Sequence, residues 1–525
     1  MSTERAADSR AAGAGGSAVA GGATVAARPA AGEHPRAEVS GVAVSVDHYI
    51  GGRRVASAET FEDRSPLDWS WKLADVSRGD AAVAAAAVGA AVDAAPGWAA
   101  LGPAGRARLL RRLAELVEQA VPELAKVECA DMAMLEESLR LRVISRAARN
   151  FRAYADLAEA HEERAWTSGG TRNRVVRRPA GPTVVITPWN APFMLSTWKL
   201  APALAAGNPV VLKPAEWSPL SCSMLADLAD AAGLPPGVLN VVQGIGEEVG
   251  SALVSDPRVR RVSFTGSPET GRLIARAAAA NLVPFTGELG GKGPLIVFAD
   301  ADLDAAAASA AAMYDDAGQV CLAGTRLLVE QSVRDEWLAR FADLAGRHVL
   351  GDSRDPATTV SPLIHPEHLA RVAGFVERAR SRGDRVVFGG RVWKEGGLWY
   401  EPTLVEPASN DSEIVQREVF GPVLTLQSFR DEQEAVELAN STEYGLSAVV
   451  WTRSEARAQR MGRAVRAGTI WVNTFLVRDL TAPFGGIGIS GIGREGGEHA
   501  LDFSSDLVTL QVREGSTDLE GGANG

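Results

Sequence analysis

From Gly181 onward the chain alternates short apolar runs with helix-length segments, and no other feature restricts its possible folds as much. Residues 183–186, 209–212, 238–242 and 261–264 are strand-like, separated or followed by helical patterning over 197–206, 220–232, 247–255 and 270–280. Strands joined by helical crossovers lie parallel, and a parallel sheet must be covered on both faces. A second alternating block begins near Pro294, with strands expected at 295–298, 326–329, 448–451 and 469–472 and a helix at 333–348. Upstream, 81–134 reads as helical, with Leu109, Leu110, Leu113 and Leu116 on one apolar stripe. Two strand-like segments, 174–178 and 507–512, lack a partner nearby and should pair with each other or with another subunit. The pattern implies an α/β protein of nucleotide-binding architecture.

Composition narrows the function classes. A length of 525 residues suggests about three structural units at ~150 residues each. Hydrophobic residues at 46% and charged residues at 23% place it among folded globular enzymes. The 54 Lys and Arg against 65 Asp and Glu give a net charge of −11, which disfavours nucleic acid and anionic membrane as partners. Cys129, Cys222 and Cys321 are too far apart for a paired-cysteine metal site, and three thiols leave one odd in any disulfide scheme. A reducing cytoplasm and no bound metal are therefore expected. The most apolar stretch, 81–92, meets Asp93 well short of the ~20 residues a membrane span needs. Residues 1–43 are rich in Ala and Gly and read as a disordered tail, and 515–525 as a flexible terminus.

Three segments carry candidate chemistry. Cys321 is bracketed by Gly318 and Gly324, which permit tight turning and close backbone approach. A free cysteine is most often a buried packing residue, and Cys129 and Cys222 keep that reading. Glu288, followed by Leu289, Gly290 and Gly291, stands in apolar surroundings that would raise its pKa and suit it to act as a base; a surface glutamate closing a strand is the alternative. Asn190 lies between Pro188 and Pro192 just after a strand, where it could donate to an oxyanion or simply make a turn.

In chain order the sequence shows Thr187-Pro188-Trp189-Asn190, Leu212-Lys213-Pro214-Ala215-Glu216, Phe264-Thr265-Gly266-Ser267, the Glu288 and Cys321 motifs, Glu418-Val419-Phe420-Gly421-Pro422, Pro483-Phe484-Gly485-Gly486 and Ser490-Gly491-Ile492-Gly493-Arg494-Glu495. With these motifs in this order the chain resembles the aldehyde dehydrogenase superfamily over about 47–512. The resemblance implies a Rossmann-type NAD domain (44–158 and 180–288), an α/β catalytic domain (289–485) and a small bridging β-sheet of oligomerisation strands (159–179 and 500–514), within homodimers or homotetramers. It also implies roles: Cys321 as nucleophile, Glu288 as the base activating water, and Asn190 with the Cys321 backbone N–H as oxyanion hole. Ile186, Thr187, Pro188, Trp189, Lys213, Glu216, Gly246, Gly250, Phe264, Gly266, Ser267, Leu289, Glu418 and Phe420 would hold the cofactor. NAD is expected over NADP, because the Glu216 carboxylate would repel a ribose 2′-phosphate.

The substrate would be a small aldehyde. The stretch from Val472 to Leu480 and the run from Gly493 to Glu498 resemble the branch that oxidises hydroxymuconic and aminomuconic semialdehydes. Arg478 is then the first candidate to hold a substrate carboxylate and Arg140 the second, with Arg142 and Arg146 as close competitors. Arg478 paired with a neighbouring carboxylate is the alternative. A broad-range or betaine-type aldehyde dehydrogenase is the runner-up. A CoA-acylating enzyme is disfavoured by Glu288, and a non-catalytic relative by the presence of Cys321, Glu288 and Asn190 together. Met132-Ala133-Met134-Leu135 and Tyr314-Asp315-Asp316-Ala317 depart from the superfamily's pattern in regions that border substrate or subunit surfaces.

Overall fold

The computed structural model describes residues 35–513, organised by an eight-stranded and a seven-stranded sheet, with a three-stranded sheet and two two-stranded antiparallel pairs beside them. The first sheet has the order Gly491–Ile492, Phe285–Glu288, Arg261–Thr265, Thr183–Ile186, Val210–Lys213, Leu239–Val241, His48–Ile50 and Arg53–Val55. The five strands from Phe285–Glu288 to Leu239–Val241 run parallel. Every residue of Thr183–Ile186 and Val210–Lys213 is buried, as helices on both faces require. The chain order reverses around Thr183–Ile186, and a crevice beyond the carboxyl ends at such a switch point is where open α/β sheets take ligands.

The helix Pro192–Ala206 returns the chain between two of these strands. Proline fits its first turn, so it begins earlier than the expected 197, and it stops at the left-handed Gly207 (φ 102°). The segment expected as a helix over 247–255 is instead a π-turn, Gly246–Gly250, running into Ser251–Ser255. The region 81–134 divides into Ala81–Ala100, Gly102–Gln119 and Val121–Met132, with Leu110 and Leu113 fully buried. Ala81–Ala100 is long and apolar enough to cross a membrane by length and composition, and it packs Val83, Ala87, Val88, Ala91 and Trp98 inside the protein.

The second sheet has the order Arg385–Phe388, Thr403–Glu406, Val423–Phe429, Arg326–Glu330, Pro294–Val297, Ser447–Trp451 and Thr469–Val472, parallel except for its first pair. The two strands without sequence neighbours find each other: Ser505–Arg513 pairs antiparallel with Thr171–Pro179, which also pairs with Arg164–Ser168.

One boundary needs correction, and one strand was not expected. The expected tail 1–43 ends too late, because Arg36–Val39 and Val42–Ser45 form a hairpin whose Val39 and Val44 are fully buried. The turn at Ser40 and Gly41, both left-handed, suits the twist of a tight hairpin. The remainder of that expectation, and the one for 515–525, lie outside the described residues. Gly491–Ile492 crosses back to the first sheet as an antiparallel edge on Phe285–Glu288, a pairing between distant segments that periodicity cannot reveal.

Candidate active site

The first sheet ends at Glu288, and the chain crosses to the second sheet through Leu289, Gly290, Gly291, Lys292 and Gly293. A Cβ on Gly291 would collide with the Cys321 carbonyl, and one on Gly290 with the Glu418 carboxylate. The glycines therefore let this crossing press against the cysteine loop. Before the thiol, Asp316, Ala317 and Gly318 adopt three consecutive left-handed conformations (φ 52°, 54° and 67°). At Gly318 a side chain would strike the Gly421 carbonyl. Gln319 fixes the turn, its Oε1 accepting from the Ile364 amide at 3.0 Å. Asn190 Nδ2 donates to the Gln319 carbonyl at 2.8 Å, which brings the asparagine to the cysteine loop. A carboxamide has two N–H donors, so one remains for a second acceptor.

Cys321 is partly exposed, whereas Cys129 and Cys222 are buried. Burial of the Cys321 sulfur, reinforced by the Glu418 and Glu288 carboxylates, pushes its pKa up to about 12, while Arg478 pulls it down. Glu288 is 6% exposed, and neither of its carboxylate oxygens has a hydrogen-bond partner. Burial first, then the Glu495 carboxylate, holds its pKa well above the usual range; Lys199, Arg494 and Arg478 oppose them. A carboxyl tuned in this way can accept a proton from water near neutral pH.

Behind Glu288 lies a buried network. Glu495 accepts from the Lys199 ammonium, from Trp198 Nε1 at 2.6 Å and from Ser263 Oγ at 3.3 Å. In front of it, the guanidinium carbons of Arg146 and Arg478 stand 5.5 and 5.4 Å from the Trp198 ring, and Arg478 also lies 3.6 Å from the Phe484 ring centre. The two cations repel each other: burial and then Arg478 bring Arg146 down to about 10. Among the described residues neither forms a salt bridge with a carboxylate. Arg140 is exposed and takes no part in this group. The π-turn Leu139–Val143 rotates the helical register, so Arg146 from Ile144–Glu159 faces the thiol instead.

The crevice at the strand ends gathers the remaining expected residues. Lys213 Nζ donates to Glu216 Oε2 at 2.7 Å. Burial pushes the Glu216 carboxyl up, but the Lys213 ammonium outweighs it and holds the pKa below its usual range. A Cβ on Gly246 would stand 3.8 Å from Lys213 Nζ and 4.0 Å from Glu216, so bare backbone faces the pair and leaves room for a hydroxyl-bearing ligand such as a ribose. Gly250 packs near Ile186, and Gly266 lies on the Phe264 ring. Ser267 caps the helix Pro268–Ala280, accepting from the Thr270 amide at 3.1 Å. Its hydroxyl is engaged by its own helix, whose N-terminus favours anions. Leu289 packs on Gly271 of that helix.

Thr187 and Pro188 lead from Ile186 to Trp189, whose ring meets Phe420 edge-on at 5.3 Å. Phe420 has φ 61°, and Glu418 Oε1 accepts from the Gly291 amide at 2.8 Å. Burial pushes the Glu418 carboxyl up to about 7.

Sequence reading passed over Lys199, Glu495, Trp198 and the preference for Arg146. One signal was available: Lys199 is the one charged residue of the helix Pro192–Ala206, where an ammonium needs a buried partner. Its partner is 296 residues away, which no local pattern shows.

Residues 54–510 match the model of the Aldehyde dehydrogenase family. The chain is 41% identical over 483 residues to a 2-hydroxymuconic semialdehyde dehydrogenase of Pseudomonas sp. (strain CF600), covering 89% of this chain and 99% of that one. It is 39% identical to a 5-carboxymethyl-2-hydroxymuconate semialdehyde dehydrogenase of Escherichia coli, covering 87% and 99%. Among solved structures, the indole-3-acetaldehyde dehydrogenase AldA of P. syringae in complex with NAD+ and IAA superposes with a TM-score of 0.88 at 39% identity, covering 90% of this chain and 97% of that one. Near-complete coverage at such identity, on a shared fold that unites a thiol, a buried carboxyl and a strand-end crevice, leaves one conclusion: the chain belongs to the aldehyde dehydrogenase family.

Proposed function

We propose that this chain oxidises a carboxylate-bearing semialdehyde, such as 2-hydroxymuconic or 5-carboxymethyl-2-hydroxymuconic semialdehyde, to the acid with NAD. The observation that carries the substrate class is the pair Arg146 and Arg478, two guanidiniums beside Cys321 and Glu288 with no carboxylate paired to either among the described residues. Two like charges held together in a half-buried place are a site for an anion. They oppose a cationic aldehyde such as betaine aldehyde. Relatives named for muconic semialdehydes agree with this reading.

In the proposed mechanism the Cys321 thiol gives up its proton to water as the sulfur bonds to the aldehyde carbon, and the carbonyl π electrons pass to the oxygen. The resulting alkoxide is met by the second N–H of Asn190 and by the Cys321 backbone N–H. When bound, NAD supplies the hydride acceptor; Lys213, Glu216 and Gly246 would hold its ribose, the Pro268–Ala280 helix N-terminus its phosphates, and Glu418 and Phe420 its nicotinamide end. Glu288 then takes a proton from water as it attacks the thioester, and Cys321 leaves as the thiol. Hydrolysis by an ionisable base at Glu288 favours release of a free acid over transfer to CoA.

The strand Ser505–Arg513, with Leu507 and Leu510 about half exposed, supports assembly into a homodimer or homotetramer. Its three unpaired cysteines support a cytoplasmic location. The test of substrate class is a panel of aldehydes followed by NADH absorbance. A muconic semialdehyde should exceed uncharged and cationic aldehydes in kcat/KM, and Arg478→Ala should raise its KM about tenfold or more, the scale of a lost charge-assisted bond. Equal effects on an uncharged aldehyde would remove Arg478 from recognition.

A further inference from the structure

Trp198 joins the two halves of the site. It is buried at 3% exposure on the helix Pro192–Ala206. Its ring lies under the guanidiniums of both Arg146 and Arg478, and meets Phe484 edge-on at 6.5 Å. The pyrrole edge of the same indole points the other way in function, since Nε1 donates to Glu495 Oε2 at 2.6 Å. Glu495 is in turn bound by the Lys199 ammonium, and its chain neighbours Gly493 and Arg494 crowd Gly485 together with the Glu288 carboxylate, so its charge acts on Glu288. A cation is attracted to the face of an indole, and an indole N–H is a donor without acceptor capacity. One rigid ring therefore fixes two arginines on its face and one carboxylate at its edge.

We propose that Trp198 is a positioning residue with two separable roles, its ring aligning Arg146 and Arg478 for the substrate carboxylate and its Nε1–H holding Glu495 in place beside Glu288 for thioester hydrolysis. The first role rests on the anionic-substrate reading above; the second does not. In the hydrolytic step water loses a proton to the Glu288 carboxylate, the new C–O bond forms as the C–S bond breaks, and the thiolate of Cys321 takes up a proton. Glu495 takes no part in that bond exchange. Its fixed position sets the charge next to the base, and without the indole N–H its carboxylate keeps, among the described residues, the bonds from Lys199 and Ser263.

The two roles come apart in two variants. Trp198→Phe keeps an aromatic face and removes the N–H, whereas Trp198→Leu removes both. The measurements are KM for a muconic semialdehyde and for an uncharged aldehyde of similar size, and the lifetime of the thioester on Cys321, followed by mass after rapid quenching. Trp198→Phe should lengthen the thioester lifetime about tenfold with either aldehyde, as expected for loss of a hydrogen bond to a charged group. It should leave the ratio of the two KM values within about twofold, a change too small to report loss of a charge-assisted pair. Trp198→Leu should lengthen the lifetime similarly and also raise the muconic KM alone. An unchanged lifetime in Trp198→Phe overturns the Glu495 role. A KM ratio disturbed as much by Phe as by Leu overturns the separation of roles. If the wild type shows no preference for the anionic aldehyde, the substrate reading fails while the lifetime measurement still decides the second role.

Discussion

At the residue scale the site depends on two ionisable groups, Cys321 and Glu288, whose burial disfavours the charged form of each. Cys321 is the nucleophile in the proposed mechanism, so Cys321→Ala should abolish aldehyde oxidation while NAD binding, measured by titration calorimetry, changes little. Cys129→Ala and Cys222→Ala should keep activity within a few fold, because both thiols are buried among packing residues. Glu288→Gln should give a burst of NADH in the first turnover and slow steady-state turnover, with acyl mass on Cys321; loss of the burst itself would place Glu288 in thiol activation. The pH profile of thioester hydrolysis gives a signed test. Burial and the Glu495 carboxylate raise the Glu288 pKa, so its basic form is lost as pH falls from a point above the normal carboxylate range. Glu495→Gln removes the second cause and leaves Lys199 unopposed, and both changes favour the ionised Glu288. The acid limb should therefore move to lower pH, and movement to higher pH would contradict the assignment of that carboxylate as Glu288's neighbour.

Among the elements, the strand-end crevice and the third sheet each carry a prediction. Glu216 follows the strand Val210–Lys213 and faces Gly246, and its carboxylate would accept from ribose hydroxyls and repel a 2′-phosphate. NAD should accordingly give higher kcat/KM than NADP, and Glu216→Gln should narrow the difference; equal efficiency in the wild type would show that the carboxylate points away from the ribose. Among the described residues the strand Ser505–Arg513 is paired along one edge only, to Thr171–Pro179. An open edge with exposed leucines invites another chain. Leu507→Asp with Leu510→Asp should reduce the assembly size measured by light scattering, with the monomer's circular dichroism retained.

For the whole molecule, stability should depend on buried carboxyls far from the chemistry. Glu128 is fully buried and accepts from the Phe193 amide at 3.3 Å, while Asp131 accepts from the Leu220 amide at 2.9 Å. Burial pushes Glu128 up to about 8 and Asp131 up to about 7; Asp63, beside Asp131, moves the same way. A carboxyl whose folded pKa exceeds its unfolded value contributes stability that is present below the unfolded pKa and lost as pH rises through the folded one. Tm should therefore fall between about pH 5 and 8 by this linkage. Glu128→Gln, which still accepts from Phe193, should flatten the slope and raise Tm at pH 8. A steeper fall in that variant would mean that Glu128 is ionised in the folded protein.

How much of this was legible before the fold is clearest in particular residues. The strand 183–186 and the strand 448–451 are read directly, since a continuous apolar run is what burial between two helix layers demands. The motifs around Cys321, Glu288 and Asn190 are local, and the resemblance they carry gives family, cofactor and fold class. Glu495 and Lys199 are 296 residues apart, Trp198 and Arg478 meet only across the site, and Arg146 displaces Arg140 because a π-turn shifts the helix by part of a turn. Sequence alone determined which chemistry the chain carries, because reactive groups and their glycine spacers are written in short segments. Only the tertiary structure decided which charges surround those groups, because desolvation and Coulomb fields act through space and depend on distances that chain order does not contain.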